Sequence, residues 1–318
     1  MPFESRFLKS KCPLATDGFF CYTNTTVSDM EVHFMDAEQK VSALRGQFRR
    51  LRQLYFLLLV LAVLALILYF VNPWYALAAL GASLAFHLLL IRRKSKAYVA
   101  DFTALAAELT LQRHLENARF SPRPVLTETQ VRQARMVPCN AASGGVVCHQ
   151  GGTGRYHGRE VALGDVTIAH SFTENGKKRH NFTIGCWVSV TLEEDTGLDC
   201  RFLGSSITPA DSLKEMLWVE EDLRQCPPPI LLREPWRMVQ GGGDVIPPDA
   251  FLKQLDRLSR KTEGRVAVCI QGKTLHVLLV GEILAQKVSG RIAPGDRFAE
   301  ADLLPSLEDA LALSDKLA

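Results

Sequence analysis

Two long stretches without a single charge constrain this chain more than anything else in it. Leu54 to Val71 reads LYFLLLVLAVLALILYFV, and Trp74 to Ile91 reads WYALAALGASLAFHLLLI. Each run is 18 residues, which as a helix spans about 27 Å, close to the roughly 30 Å of a bilayer's hydrocarbon core. Asn72-Pro73 between them is a turn signal, because proline cannot continue the first helix. A helix in a soluble core normally keeps a polar stripe, and the first run has none. The pattern predicts a two-helix transmembrane hairpin.

The flanks set its orientation. Arg45, Arg49, Arg50 and Arg52 precede the first span, and Arg92, Arg93, Lys94 and Lys96 follow the second. The turn carries no charge. Positive residues stay on the cytoplasmic side, so the chain is expected in the inner membrane, two-pass, with both termini cytoplasmic. Arg49, Arg50, Arg52, Arg92, Arg93, Lys94 and Lys96 then mark the inner interface. Trp74 and Tyr75, with Tyr69, mark the outer one. Composition agrees. Of 318 residues 22% are charged, too many for a polytopic transporter. The net charge of +3 is carried by the flanks: the 37 basic residues less these eight leave 29, against 34 acidic. No basic face interleaved with aromatics suggests nucleic acid as a partner.

Inside the second span, Ala78, Gly81, Ala82, Ser83 and Ala85 are small residues suited to close packing against the first helix or a second copy. His87 lies one turn beyond Ser83 and is expected to reach headgroups or Ser83. Upstream, Phe34, Ala37, Val41, Leu44, Phe48 and Leu51 recur at helical spacing and run into the first span. Downstream, Tyr98, Phe102, Leu105, Leu109 and Leu115 continue a helix to about Ala118, before Ser121-Pro122-Arg123-Pro124. The two arms are expected to pair as an antiparallel stalk. Residues 1–27 read as an N-terminal tail and 28–120 as the stalk and hairpin, with spans 54–71 and 74–91.

The rest is an α+β cytoplasmic region. Residues 121–235 are β-rich, and 236–318 form its helix–hairpin–helix portion. Phe182, Ile184, Cys186, Val188, Val190 and Leu192 alternate as a half-buried strand does. Val166, Ile168, His170 and Phe172 alternate before it, with Asn175-Gly176 between as a hairpin turn. Val161 and Leu163 are out of phase with Val166, which predicts a bulge or bend at Gly164-Asp165. Leu198, Cys200 and Phe202 give a third strand. Phe251, Leu252, Leu255 and Leu258 share a helix face. Val266, Val268 and Ile270 lead through Gly272-Lys273 to a strand over Leu275–Ile283, and Leu303, Leu304, Leu307, Leu311 and Leu317 mark a terminal helix.

This order of parts resembles a bacterial domain family of unknown function, family 3137. The likeness lies in the basic-flanked hairpin, then TGRYHGREVALGDVTIAH, NFTIGCWVSVTL and CRFLG, then AFLKQLDRLSRKTEGRVAVCIQGKTLHVLLVGEI with a leucine-rich ending. It implies the architecture and brings no catalytic residues.

The motifs for chemistry are weak. Gly272-Lys273-Thr274 resembles the end of a phosphate loop, but position 267, where the loop needs glycine, is Ala267. Gly151-Gly152-Thr153-Gly154 and Gly241-Gly242-Gly243-Asp244 read as turns. The eight cysteines include no CxxC pair. Cys148 and His149 are adjacent, so on a strand they face opposite ways and do not make a metal site or a catalytic pair with His157. Cys186 and Cys200 read as small core residues. Lys177-Lys178-Arg179-His180 is a basic hairpin tip, expected to be solvated, with anionic headgroups as the other reading. No catalytic, metal or cofactor residue is assigned. The expected role is non-enzymatic binding or scaffolding at the inner membrane face, with the bilayer as one partner and a protein or a second copy as another. The alternative is a membrane-associated enzyme using His149, His157 or Asp165.

Overall fold

The computed structural model describes residues 27–137, 145–174, 177–204, 206–207, 223–233, 236–241, 245–284, 294–295 and 302–317. The expected N-terminal tail, the Asn175-Gly176 turn and Gly242 to Asp244 lie outside these.

Helix α1 (Val27–Val71) runs unbroken through the first apolar stretch. Asn72 reverses the chain: its Oδ1 accepts the Trp74 amide at 3.0 Å, and Pro73 takes the first helical position, where no amide donor is required. Helix α2 (Pro73–Phe86), a π turn (His87–Ile91) and α3 (Arg92–His114) follow as one continuous rod. The π turn has a packing reason. Ala76, Ser83, Ile91, Tyr98 and Leu105 are buried and recur every seven residues except for the step across the π turn, which is eight. The extra residue restores the phase that lets α3 keep the same face toward Leu44 and Leu51 of α1.

The antiparallel stalk forms as expected. Phe48 packs against Tyr98 at a tilt, with ring centroids 5.7 Å apart, and Lys40 pairs with Glu108 at 3.2 Å. The helix ends earlier than expected, however, at His114 rather than near Ala118. Leu115 is already extended, and Asn117 takes a positive φ of 52°. Residues Glu116–Ser121 instead form strand β1.

The remaining strands are β2 (Val146–Tyr156), β3 (Arg159–Glu174), β4 (Lys177–Thr191), β5 (Asp199–Gly204), β6 (Leu223–Cys226), β7 (Trp236–Gly241), β8 (Val266–Gln271) and β9 (Thr274–Val280). They form one antiparallel sheet in the order β1-β2-β3-β4-β9-β8-β5-β7-β6. The β8–β9 hairpin is thus inserted between β4 and β5. Helix α4 (Glu128–Gln133) carries a Thr127/Gln130 capping box. Helix α5 (Asp249–Lys261) buries Phe251, Leu252, Leu255 and Leu258. The terminal helix is far shorter than the leucines suggest: α6 covers only Leu307–Leu311, with a 3₁₀ turn at Ser314–Lys316. Pro305 precedes it. Leu303 and Leu304 are buried all the same, with the Leu304 amide held by Asp302.

Both faces of the sheet are covered. One carries α3, α5 and α6 over Leu163, Cys186, Val188, Phe202, Val268 and Val277. The other carries the α4 segment over Val166, Ile168, Trp187, Leu203, Cys269 and Leu278. This explains the phase change near Gly164-Asp165, which is not a bend in β3. Strand β3 pairs with β4 in unbroken register from Val161↔Val190 to Glu174↔Lys177. What changes along β3 is which face is buried. The bulge lies in β2, where Cys148 and Gly151 oppose Val166 and Gly164 with one residue extra.

The α1 and α2 surfaces are strongly apolar. Phe56, Leu59, Leu66, Phe70, Trp74, Leu77, Leu84 and Leu89 are exposed. Only 6% of the most apolar window of the first rod is buried, and 17% of the second. Both rods are long and apolar enough to cross a membrane.

Candidate functional site

The interface residues named from sequence fall on two levels. Arg52 and Arg92 each lie 20 residues from Asn72, about 30 Å along their helices. Arg49, Arg50, Arg92, Arg93, Lys94 and Lys96 are exposed at or just below that level, while Trp74 and Tyr75 are exposed at the opposite end. The small residues of α2 divide. Ala76 and Ser83 face α1, whereas Ala78, Gly81, Ala82 and Ala85 lie on the outer surface. Of the two partners expected for His87, headgroups or Ser83, the second is not seen among the described residues: Ser83 Oγ donates to its own helix at Ala79 O, 2.8 Å away. The buried His87 Nδ1 has no hydrogen-bond partner among the described residues.

The residues weighed for chemistry do not converge. Because of the bulge, His149 and Gln150 both reach the β3 face that carries Asp165 and Thr167. His149 Nε2 lies 3.0 Å from Thr167 Oγ1, and Gln150 Nε2 donates to Asp165 at 3.4 Å. Asp165 is buried and accepts the Leu284 amide at 2.8 Å, a structural use of its carboxylate. Cys148 points to the other face, as strand alternation requires. His157 sits in the two-residue β2–β3 turn, eight residues from His149, roughly 27 Å along an extended strand. Burial pushes the Cys186 thiol well above its ordinary value and lifts Cys200 and Cys269 to about 12, so these thiols stay protonated and unreactive at neutral pH. Among the described residues no three His, Cys, Asp or Glu side chains form a group that could hold a metal ion.

Of the two glycine runs expected to be turns, the first is not one. Gly151, Gly152 and Gly154 lie within β2. A Cβ on Gly152 would stand 2.4 Å from Leu111 Cδ1, and one on Gly154 would stand 2.8 Å from Leu115 Cβ. They are the bed on which the end of α3 lies directly against the sheet. Gly272-Lys273 does make a tight β8–β9 turn, with Gly272 at φ +57°.

Two polar groupings escaped sequence reasoning. The first is a row across the α4 face of the sheet. Arg201 is 1% exposed; its Nε donates to Ala134 O at 3.1 Å and its Nη1 to Asp199 at 2.6 Å. Beside it, Trp187 Nε1 donates to His276 Nδ1 at 3.3 Å. Burial, and then the Arg201 charge, push His276 down to about 4. The imidazole is therefore neutral, with its proton on Nε2. Nothing in LDCRFLG distinguishes a buried arginine from one on a wet face.

The second grouping is a clasp. The β2–β3 turn (Tyr156, His157, Gly158, Arg159) has φ of 50° at His157 and 83° at Gly158, the pattern of a tight type I′ hairpin. It presents three donors to Asp315 in the C-terminal turn: Tyr156 OH at 3.2 Å, His157 Nδ1 at 3.1 Å and Arg159 Nη1 at 2.6 Å. Burial pushes the Asp315 carboxyl up, but the hydrogen bonds from His157 and Arg159 outweigh it and hold it below 3.8. A depressed carboxylate stabilises the fold above its unfolded pKa, and that stabilisation fades as pH falls through the lower folded value. Amide protection over residues 307–317, taken relative to the unstructured exchange rate at each pH, should therefore fall below about pH 4. An Asp315→Asn chain should lose much of this acid step. An unchanged step would show that the clasp does not hold the C-terminus.

No family model matches the chain, and neither the curated proteins nor the solved structures show a match to it.

Proposed function

We propose that this chain is a membrane-anchored module whose α1–α2 hairpin crosses the bilayer with both termini in the cytoplasm. The hairpin would hold the nine-stranded α+β region at the inner face for binding or scaffolding. The supporting observation is the pairing of two outward-facing apolar rods with basic belts at one depth. A charge-free turn flanked by Tyr69, Trp74 and Tyr75 lies about 30 Å away. Binding is preferred to catalysis because His149, His157 and Asp165 are each engaged in separate local contacts and the core thiols are protonated. We extend the proposal to the likeness with family 3137, on the order of the parts.

Topology reporters fused at Asn72 and at the C-terminus test this reading. A periplasmic signal at Asn72 and a cytoplasmic one at Ala318 are expected. The reverse pattern, or release of the chain from membranes by carbonate, would overturn it. Affinity purification of the full chain in mild detergent then separates the two roles: a stoichiometric protein partner supports scaffolding, and a bound metabolite supports the enzyme alternative.

A further inference from the structure

We propose that the outer half of the β3–β4 hairpin is a second membrane contact, binding anionic lipid headgroups next to the basic belt where α1 and α3 leave the bilayer. This rests on the anchored reading above. The direction of the ribbon carries the argument. Leu111 and Leu115 of α3 lie over Gly152 and Gly154 of β2. Four helical residues rise about 6 Å and two strand residues about 6.6 Å. Helix and strand therefore run side by side there in the same direction, away from the spans. Strand β3 is antiparallel to β2, so it returns toward them.

The reach is sufficient. Leu163 pairs with Gly152, and from Leu163 to Glu174 the strand extends about 36 Å. From Leu111 back to Arg92 the helix climbs about 29 Å. The surplus allows for tilt and twist between them. Strand β2 stops opposite Ile168, and β9 stops opposite Gly185. Ala169 still donates its amide to Gly145 O at 2.8 Å; from His170↔Asn181 outward, β3 and β4 pair with each other alone among the described residues. A two-stranded ribbon is marginally stable by itself and gains from a surface to lie on.

Its chemistry matches a headgroup surface. Lys177, Lys178 and Arg179 occupy outer register positions of β4, against one acid, Glu174, on β3. At the root of the ribbon, Val147, Phe182 and Ile184 are 50%, 60% and 47% exposed. Basic residues near an anionic leaflet contribute about 1 kcal/mol each. An apolar group beside them can enter the headgroup boundary.

Hydrogen–deuterium exchange of the full chain in nanodiscs tests this, comparing phosphatidylcholine alone with a mixture containing phosphatidylglycerol. Amides of residues 169–182 should exchange roughly tenfold more slowly in the anionic discs. The difference should vanish in the Lys177→Glu/Lys178→Glu/Arg179→Glu chain, and should shrink in Lys177→Gln/Lys178→Gln/Arg179→Gln, which keeps strand-compatible side chains. Equal exchange in both lipids, a difference that survives charge reversal, or protection brought by added RNA in neutral discs would overturn the proposal. Protection of residues 54–91 in both discs shows that the anchor is intact. Its absence would overturn the anchored reading itself, so the two failures are distinguishable.

Discussion

Replacing Arg201 with alanine should destabilise the cytoplasmic region by about 3–5 kcal/mol, the usual loss when one partner of a buried charged contact is removed. The guanidinium is almost fully sequestered and joins two parts of the fold that the chain separates by 67 residues. Through Nε it holds the Ala134 carbonyl, and so the α4 segment, onto β5. Through Nη1 it offsets Asp199. Alanine leaves a cavity, a buried carbonyl without its donor and a carboxylate without its countercharge. Arg201→Met fills the space without restoring the donors, so it should recover only part of the loss. Denaturant titration of the full chain in detergent reads both, and a midpoint unmoved by Arg201→Ala would refute the bridging role. A pH effect accompanies it. His276 is pushed from 6.5 to about 4 in the fold, so protonation favours the unfolded chain. That stabilisation is complete above the unfolded value and declines as pH falls from 6.5 toward 4. His276→Gln should flatten this limb of the stability profile. Removing the Arg201 charge should shift it toward lower stability loss, because one of the two causes of the depression is gone.

Substituting Gly152 with alanine should destabilise by about 1–3 kcal/mol, although a methyl group in a strand normally helps. The new Cβ would meet Leu111 Cδ1 at 2.4 Å and Arg119 O at 3.0 Å. Leu111 is 0% exposed and has no room to withdraw. Leu111→Ala alone should lose about 2–5 kcal/mol by leaving a cavity. The double variant should be less damaging than the sum by about 1 kcal/mol or more, since the added methyl occupies vacated space. Strict additivity in a double-mutant cycle would show that the helix does not bear on this glycine.

Much of the fold was legible in the sequence. The two rods, the stalk faces, the alternation from Phe182 to Val190, the β8–β9 turn and the α5 face are all periodic signals within one segment, and periodicity reports local structure. The misreadings share a cause. Val161 and Leu163 looked like a strand with a kink because alternation was read against one buried face, whereas this sheet has two. Gly151 to Gly154 looked like a turn because glycine's local meaning is flexibility; its use here is the absence of a side chain beneath Leu111. Leu115 fits a helical stripe that would carry α3 to Ala118, and pairing of Glu116–Ser121 with β2 is the stronger competitor. The terminal leucines suggest one long helix because they are apolar; Leu303, Leu304, Leu307 and Leu311 are buried, but only Leu307 and Leu311 lie in a helix.

The sequence by itself determined where the chain is uncharged, which ends are basic and which segments alternate, because hydropathy and charge are properties of residues in order. Tertiary structure alone decided that β8 and β9 enter between β4 and β5, that Arg201 meets Ala134 and Asp315 meets Arg159, and that the β3–β4 ribbon runs back toward the spans. These depend on which distant surfaces exclude water together, and contacts across 67 or 156 residues leave no local period in the chain.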